Sequence, residues 1–452
     1  MRRYLFSLLL TLASLQPVAG QAADIVLTPA QMTVAAGRAL SLHRPEAALA
    51  LAEALLARDP KDIRALLIKA RALRDLVRND AARDAANLAW RAANTDTERF
   101  GAALILAQAL ASSGRDTAAQ LWLRRATQHA TNDRQRALVR RDFAFLRQRN
   151  PLTLKFSFGA TPSTNVNGGA NTDTITLFGL PFELSADAQA LSGYQAYASV
   201  DLSYRVFENT PGETRIGFSA YHRQTWLSEQ AQIDAPGALG SDYNYASLSL
   251  NLSHTFQPTQ EGRKYALSLA LGRNWYGGQA LANFANLNAT LSQDFANGRQ
   301  LGVSLRADVK QNADGTGAPV FLANAGVTYQ WPQANGNAFR FSASLQRTVS
   351  SNAYDAYFET RAGVDYFLTK PVFGGKLSFG LGAARRDYAV SRYTANGRHD
   401  QSLNAHVDLT LNGLSVYGFS PKISVSHSRT TSNVALFSSQ VTSLGLGFQS
   451  DF

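Results

Sequence analysis

The stretch Tyr194-Gln195-Ala196-Tyr197-Ala198-Ser199-Val200-Asp201-Leu202-Ser203-Tyr204-Arg205-Val206-Phe207 decides the fold. Successive side chains of an extended chain point to opposite faces. Ala196, Ala198, Val200, Leu202, Tyr204 and Val206 therefore share one face, and Gln195, Tyr197, Ser199, Asp201, Ser203 and Arg205 the other. Leu301, Val303, Leu305, Ala307 and Val309 alternate with Gly302, Ser304, Arg306, Asp308 and Lys310 in the same way. So do Phe321, Ala323, Ala325, Val327 and Tyr329 against Leu322, Asn324, Gly326, Thr328 and Gln330. Strands of soluble sandwiches usually run to about five or six residues, whereas segments of about ten with one apolar and one polar face mark an outer-membrane β-barrel.

Working outward, fourteen such segments fill residues 151–452, starting near Leu152, Tyr194, Thr214, Tyr243, Lys264, Leu281, Leu301, Pro319, Ala338, Ala356, Lys376, Ser402, Pro421 and Ser438. An even count lets the chain enter and leave on one side. If the first strand rises from the periplasm, the joints Ala160–Gly193, Leu227–Asp242 and Arg385–Gln401 are long extracellular loops, while Glu208–Glu213, Ala296–Gly298 and Pro332–Asn337 are short periplasmic turns. Trp226, Tyr243, Tyr329 and Trp331 sit at strand ends, where interfacial girdles form. Leu444, Leu446, Phe448 and Phe452 share one face of the last strand, the pattern of a C-terminal barrel-assembly signal. Tyr197, Asp201, Arg205, Arg306, Asp308 and Lys310 are the candidate lumen-facing residues, their charges able to pair across neighbouring strands.

Upstream of Asn150-Pro151 the period changes. Residues 24–150 are rich in Ala, Leu and Arg, which favour helix. Thr28-Pro29 and Arg44-Pro45-Glu46 read as helix starts, Asp59-Pro60 as a stop, and Asn79-Asp80 and Gly114 as turns. Arg44, Asn79 and Gly114 recur every 35 residues, with Ala47 matching Ala82 and Leu51 matching Ala86 and Leu121. Helix pairs repeating at about 34 residues are the tetratricopeptide pattern, although the aromatic consensus positions here hold Ala or Leu. Such pairs stack into a superhelix with a groove suited to an extended peptide. Arg64, Arg71, Arg74 and Arg78 fall on one face of a helix expected there, opposite Leu66, Leu67, Ala70, Leu73 and Val77. A solvated amphipathic face is the ordinary meaning; a cradle for an acidic, unfolded client is the sharper one. Arg134, Arg136, Arg140, Arg141, Arg147 and Arg149 crowd the last helix, suited to solvation or to anionic headgroups.

Composition agrees with this division. The chain has 452 residues and a net charge of +11, with 17% charged residues against the roughly 25% of soluble domains. Lys and Arg outnumber Asp and Glu by 21 to 13 over residues 24–150 but only by 21 to 20 over residues 151–452. Arg2 and Arg3 followed by apolar Tyr4–Leu15 and the small residues Gly20, Ala22 and Ala23 read as a signal peptide over residues 1–23. No apolar run approaches the roughly 18 residues of a transmembrane helix. Cysteine is absent, which removes disulfides, thiolate chemistry and a lipid-modified N-terminal Cys. Secretion argues against nucleic acid as a partner of the basic half. There is no phosphate-loop or zinc-protease motif, the seven His residues lack ligand spacing, and Gly374-Gly375-Lys376 reads as a turn. His254 and His427 belong to the apolar face near strand ends. The reading is therefore no enzyme, no catalytic or metal residues and no cofactor, with a barrel phospholipase the disfavoured alternative.

The order of parts resembles the surface lipoprotein assembly modulator (Slam) family, whose translocons are called type XI secretion. Gly159-Ala160-Thr161-Pro162-Ser163-Thr164-Asn165-Val166-Asn167 is similar to that family's segment after the first strand. So is its continuation, Leu180-Pro181-Phe182-Glu183-Leu184-Ser185-Ala186-Asp187-Ala188-Gln189-Ala190-Leu191-Ser192-Gly193. Gly418-Phe419-Ser420-Pro421-Lys422 and Ser432-Asn433-Val434-Ala435-Leu436-Phe437 resemble the penultimate strand and the loop after it. The resemblance implies a Gram-negative outer-membrane translocator carrying client lipoproteins or related secreted proteins to the cell surface. The helical domain then lies in the periplasm and engages the client, and the barrel gives passage through its lumen or a lateral seam. Outer-membrane lipids, barrel-assembly machinery and periplasmic chaperones are the further partners. The alternatives are a passive porin and a tetratricopeptide-linked polysaccharide exporter. The expected fold is thus α plus transmembrane β: a helical repeat domain followed by a 14-stranded antiparallel outer-membrane barrel.

Overall fold

The computed structural model describes residues 27–177, 180–258, 262–414 and 416–450; the expected signal peptide and Phe452 lie outside them. The chain divides into two compact units, Met1–Ala93 and Asn94–Phe452. The first holds α1 (Pro29–Ser41), α2 (Pro45–Arg58), α3 (Ile63–Asp75) and α4 (Asn79–Ala92). Thr28 and Gln31 close a reciprocal capping box ahead of Pro29, the first residue of α1. Asp62 caps α3 by accepting from the Ala65 N–H at 3.1 Å. Alanines dominate the buried faces, among them Ala36, Ala48, Ala52, Ala65, Ala70, Ala82 and Ala86, with Leu55, Leu66 and Leu73 between them. His43 and Val77 take left-handed φ angles of 55° and 60° at the turns within the helix pairs. Arg64 and Arg71 are exposed on α3, and Arg74 pairs with Asp75 at 2.7 Å. Arg78 does not share their helix: α3 ends at Asp75, and Arg78 stands at the N-cap of α4. The left-handed Val77 breaks the helical period that the sequence extends through it.

The second unit opens with α5 (Asp96–Ser112), α6 (Asp116–Gln128) and α7 (Asp133–Arg149), so compactness joins these helices to the strands although the element type changes at Asn150-Pro151. Gly114 repeats the left-handed turn, at φ 75°, between α5 and α6. The strands follow in chain order: β1 (Leu152–Ser163), β2 (Thr174–Leu177), β3 (Leu180–Glu183), β4 (Gly193–Asn209), β5 (Gly212–Leu227), β6 (Tyr245–Phe256), β7 (Arg263–Tyr276) and β8 (Gln279–Asp294). They continue as β9 (Gln300–Asn312), β10 (Val320–Pro332), β11 (Ala338–Ser350), β12 (Tyr357–Phe367), β13 (Lys376–Tyr388), β14 (Arg398–Thr410), β15 (Phe419–Ser432) and β16 (Ser439–Ser450). Apart from the small β2–β3 hairpin, all of them join one closed antiparallel barrel of fourteen strands, each paired with its chain neighbours and β16 returning to β1. Every segment read from the alternation corresponds to one barrel strand.

The register fixes which side chains share a face. Leu305 lies opposite Ala325, and Ala325 opposite Leu345, while Arg306, Asn324 and Gln346 form the adjacent row of the other face. The apolar rows are bare: Leu250, Leu305, Leu345, Leu381 and Leu403 are each 54–66% exposed. A girdle of exposed leucines around a closed strand cylinder calls for lipid rather than water as its solvent. Among the described residues no helix is long and apolar enough to cross a membrane. The alternation fails in one place in β4, where the pairing with β5 shifts between Arg205 and Phe207. Val206 is the extra residue of this bulge, so Phe207, opposite Thr214, takes the next place on the apolar face. Gly374 occupies a turn at φ 74° between β12 and β13, as read from sequence.

Leu345 is halfway along β11 on the bare face, and Ser344 beside it lines an internal cavity. Leu345→Arg should destabilise the folded barrel by about 2–4 kcal/mol and Ser344→Arg by far less, because only the first places a guanidinium at mid-bilayer depth. Urea unfolding in vesicles checks this; equal costs would contradict the assignment of faces.

Candidate functional site

A fourteen-stranded barrel has an interior wide enough to be worked as a site, and here that interior is lined by charge. One cavity of about 700 Å³ is bordered by Asn324, Ser344, Glu359, Arg361, Arg386 and Asp400 among others, and a second of about 830 Å³ by Asn286, Arg306, Asp308, Lys310, Tyr357 and Tyr388 among others. Glu359 is 2% exposed and accepts from Arg361 and, at 2.6 Å, from Arg386. Arg306 pairs with Asp308 at 2.8 Å, and Asp308 also accepts from Asn286. Each carboxylate here is paired with at least one guanidinium, so the lumen offers alternating polar groups without a strong field of either sign.

The sequence-derived lumen residues do not form a single group. Arg306, Asp308 and Lys310 lie together on β9 at the second cavity. Asp201 of β4, five strands away, accepts from Ser219 at 2.6 Å. Arg205 donates to the Gln148 and Arg149 carbonyls at 2.9 and 3.0 Å and pairs with Glu208 at 3.1 Å, so it ties the end of α7 to β4. Tyr197 covers a close approach at the strand closure: a Cβ on Gly159 would meet its ring at 2.8 Å, and one on Gly447 its hydroxyl at 3.1 Å. Glycine on both closing strands leaves room for the ring, as aromatic rescue of strand glycines requires. On the other face Phe158 stacks on Phe448 with centroids 4.9 Å apart, while Leu444 and Leu446 are half exposed.

The long loops are folded rather than slack. Residues 164–192 carry the β2–β3 hairpin, and residues 228–244 carry α8 (Glu229–Asp234). Val166, Leu191, Leu227, Ala231 and Ala235 bury one another between them. Asn165 donates to the Gly169 carbonyl at 2.9 Å, and Asn167 to the Asp187 and Gln189 carbonyls at 2.9 and 2.7 Å. The Leu191 N–H donates back to Asn167 at 2.9 Å. Asn433 holds the loop after β15 by donating to the Gly397 carbonyl at 3.0 Å and accepting from the His399 N–H at 2.7 Å. That loop places Phe437 on one side of the Arg398 guanidinium, 3.8 Å away, with Tyr388 on the other at 3.7 Å. The Asn171 N–H donates to the Ser438 carbonyl at 3.0 Å and links the two loop systems. Three of the four segments that carry the family resemblance, residues 159–167, 180–193 and 432–437, are thus among those that knit this lid.

At the other end Arg149 donates to Asp116, and this hydrogen bond, reinforced by the opposite charge, holds the guanidinium above its ordinary range. Buried Asn150 donates to Thr117 at 3.0 Å and accepts from the Leu152 N–H at 3.0 Å. Glu359, Arg386 and Arg398 were not singled out by sequence, because alternation assigns a face but no partner; Arg149 was read only as one of the arginines crowding the last helix, without Asp116 as its partner. The asparagines of the lid carried a signal only as part of a resembling segment. Among the described residues no three His, Asp or Glu side chains gather as a metal site.

Comparison with known proteins bears out the resemblance over the C-terminal part of the barrel, since residues 264–452 match the family model described as surface lipoprotein assembly modifier. No curated protein matches the chain. Among solved structures, OprB of Pseudomonas putida is similar at a TM-score of 0.40 and 9% identity, over 68% of this chain and 96% of that one. A BenF-like porin from Pseudomonas fluorescens Pf-5 gives 0.35 and 8%, over 66% and 98%. The β-domain of the Bordetella autotransporter BrkA gives 0.29 and 12%, over 67% and 100%.

Two outcomes follow from this geometry. Glu359→Ala should cost about 2 kcal/mol of barrel stability, less than the 3–5 typical of a fully buried pair because Arg361 and Arg386 keep some access to water; denaturant titration measures it. Phe437→Ala removes one of the two rings around Arg398, worth about 0.5–2 kcal/mol, and should raise the open-channel conductance in planar bilayers. An unchanged conductance would place Phe437 outside any constriction.

Proposed function

We propose that this protein is an outer-membrane translocator that carries specific client proteins, surface lipoproteins or related secreted proteins, from the periplasm to the cell surface. The observation that carries the reading is the family match over residues 264–452 on a barrel whose interior is polar and charge-balanced. An unfolded client brings backbone groups that cost several kcal/mol each if left unpaired in lipid, so its passage needs a sheltered polar route. The lumen offers that shelter, and the knitted loops supply an exit that must yield.

In this reading residues 24–150 form a tetratricopeptide-like periplasmic domain that grips the client before passage. Arg64 and Arg71, exposed on α3, are its candidate contacts to an acidic segment; Arg74 lies between them and the N-cap residue Arg78. Outer-membrane lipid surrounds the barrel, and barrel-assembly machinery and periplasmic chaperones deliver it there, with Leu444, Leu446, Phe448 and Phe452 as the assembly signal. Client folding outside makes the transfer irreversible and needs no nucleotide.

Surface proteins labelled with a membrane-impermeant biotin reagent, compared between parent and deletion strains, test the reading. A small set of lipoproteins or secreted proteins should vanish from the surface and accumulate inside; an unchanged surface proteome would refute it. Arg64→Glu with Arg71→Glu should lower the export of the same set severalfold while the barrel remains assembled, as judged by its heat-modifiable migration.

A further inference from the structure

β1 is the first strand of the barrel and β16 the last, and their pairing is less complete than that of their neighbours. β1 pairs with β4 at every residue from Leu152 to Ser163. With β16 it pairs at Phe158–Phe448, Gly159–Gly447 and Ala160–Leu446, then again only at Ser163–Ser443. Pro162, in the interruption, has no N–H to give. Toward the start of β1 the ladder stops at Phe158–Phe448, short of Ser157 and Phe156, which in this register stand opposite Gln449 and Ser450. Thr164 and Thr442 fasten the far end, the Thr164 N–H donating to the Thr442 carbonyl at 3.1 Å and the Thr442 N–H to the Thr164 hydroxyl at 3.0 Å.

Helix α6 is attached to both sides of the closure at the end where the ladder stops. Near its start, Thr117 and Gln120 accept from Asn150, and Asp116 accepts from Arg149, which fixes it to the segment that runs directly into β1. Near its end, Arg124 donates to the Gly418 carbonyl at 3.2 Å and the Ser450 hydroxyl at 2.8 Å, its guanidinium 5.0 Å from the Phe419 ring. One turn on, Gln128 accepts from the Tyr417 N–H at 3.0 Å. These partners belong to β15, β16 and the turn before β15. From Thr117 to Gln128 the helix rises about 16 Å, and the three strand spacings from β4 to β15 measure about 14 Å. The helix is long enough to be held on both sides of the closure, so widening that closure by one strand spacing must break one of its attachments. The first continues covalently into β1; the second is the one that can release.

We propose that the β1–β16 seam opens sideways to let the lipid-soluble part of a client, an acyl anchor or apolar segment, leave the lumen for the bilayer, and that α6 is the strut holding it shut through Arg124. The proposal rests on the translocator reading and chooses between its two routes. Arg124 acts as a positioning residue; Tyr197 over Gly159 and Gly447, and Phe158 on Phe448, are the contacts that part when it lets go.

The natural chain has no cysteine, so introduced pairs are unique. Ala160→Cys with Leu446→Cys locks the seam, and Ala343→Cys with Ala362→Cys, directly opposed on β11 and β12, locks a strand pair away from it. Biotin labelling of surface proteins reads export in the intact cell under oxidising and reducing conditions. The oxidised seam pair should export roughly a tenth of what its reduced form does, and the control pair equally in both states. Equal export by the oxidised and reduced seam pair overturns the proposal while leaving the translocator standing. A parent strain whose surface proteome matches the deletion strain overturns both. In purified full-length protein, Arg124→Gln should slow disulfide formation at the seam pair roughly tenfold by removing charge-assisted hydrogen bonds, with Arg124→Lys restoring much of the rate. Cross-linking of Arg124→Gln at the parental rate also overturns the proposal.

Discussion

In hydrocarbon a backbone amide has no water to fall back on, and each unpaired group costs several kcal/mol. A strand can cross a membrane only if both edges are paired, and a sheet has both edges paired only if it closes. Closure is therefore the constraint on which the rest of this structure depends. Thirteen of the fourteen pairings join strands that follow one another in the barrel, through short turns or folded loops, and are readily specified. The return of β16 to β1 is the one pairing that joins the ends of a 300-residue segment, and no turn specifies it. Side chains must do so instead: Tyr197 over paired glycines on one face, and Phe158 against Phe448 on the other.

The interior solves a different problem. A polar interior enclosed by lipid must satisfy the ions buried in its own wall. Glu359 between Arg361 and Arg386, and Asp308 beside Arg306, are satisfied in this way, because each carboxylate is paired within the wall. The lid obeys the same accounting. Its turns would expose carbonyls with no partner, and asparagines 165, 167 and 433 bond them from within the loops. Order in these long loops comes from polar satisfaction joined to one small apolar cluster around Val166 and Leu191.

The architecture was legible because lipid writes a strict period of two. Leu305 and Arg306 could be assigned to opposite faces from spacing alone, and every barrel strand was found that way. The period failed where geometry departs from it, at the Val206 bulge and at left-handed Val77, which moves Arg78 off the helix of Arg64 and Arg71. Contacts between distant elements were mostly illegible. The carbonyl partners of Arg205 lie more than fifty residues upstream, and the strand-end partners of Arg124 about three hundred downstream, distances at which one sequence holds no pairing information. The β2–β3 hairpin and α8 were hidden because long loops lack a period to read.

The same arithmetic bears on the seam, where the pairing of β1 with β16 is interrupted at Thr161 and Pro162. A translocator that carried only soluble chains would gain nothing from an imperfect seam, and a porin would be better served by fourteen equal ladders. A cargo with an apolar anchor poses the opposite demand, because a polar lumen is as hostile to an acyl chain as lipid is to a bare amide. Only a wall that is closed at rest and separable in use meets both requirements. Such a wall needs its resting closure supplied partly from outside the ladder, by contacts that can be withdrawn without breaking the remaining strand pairs. Arg124, reaching from a helix to the ends of β15 and β16, is a contact of that kind.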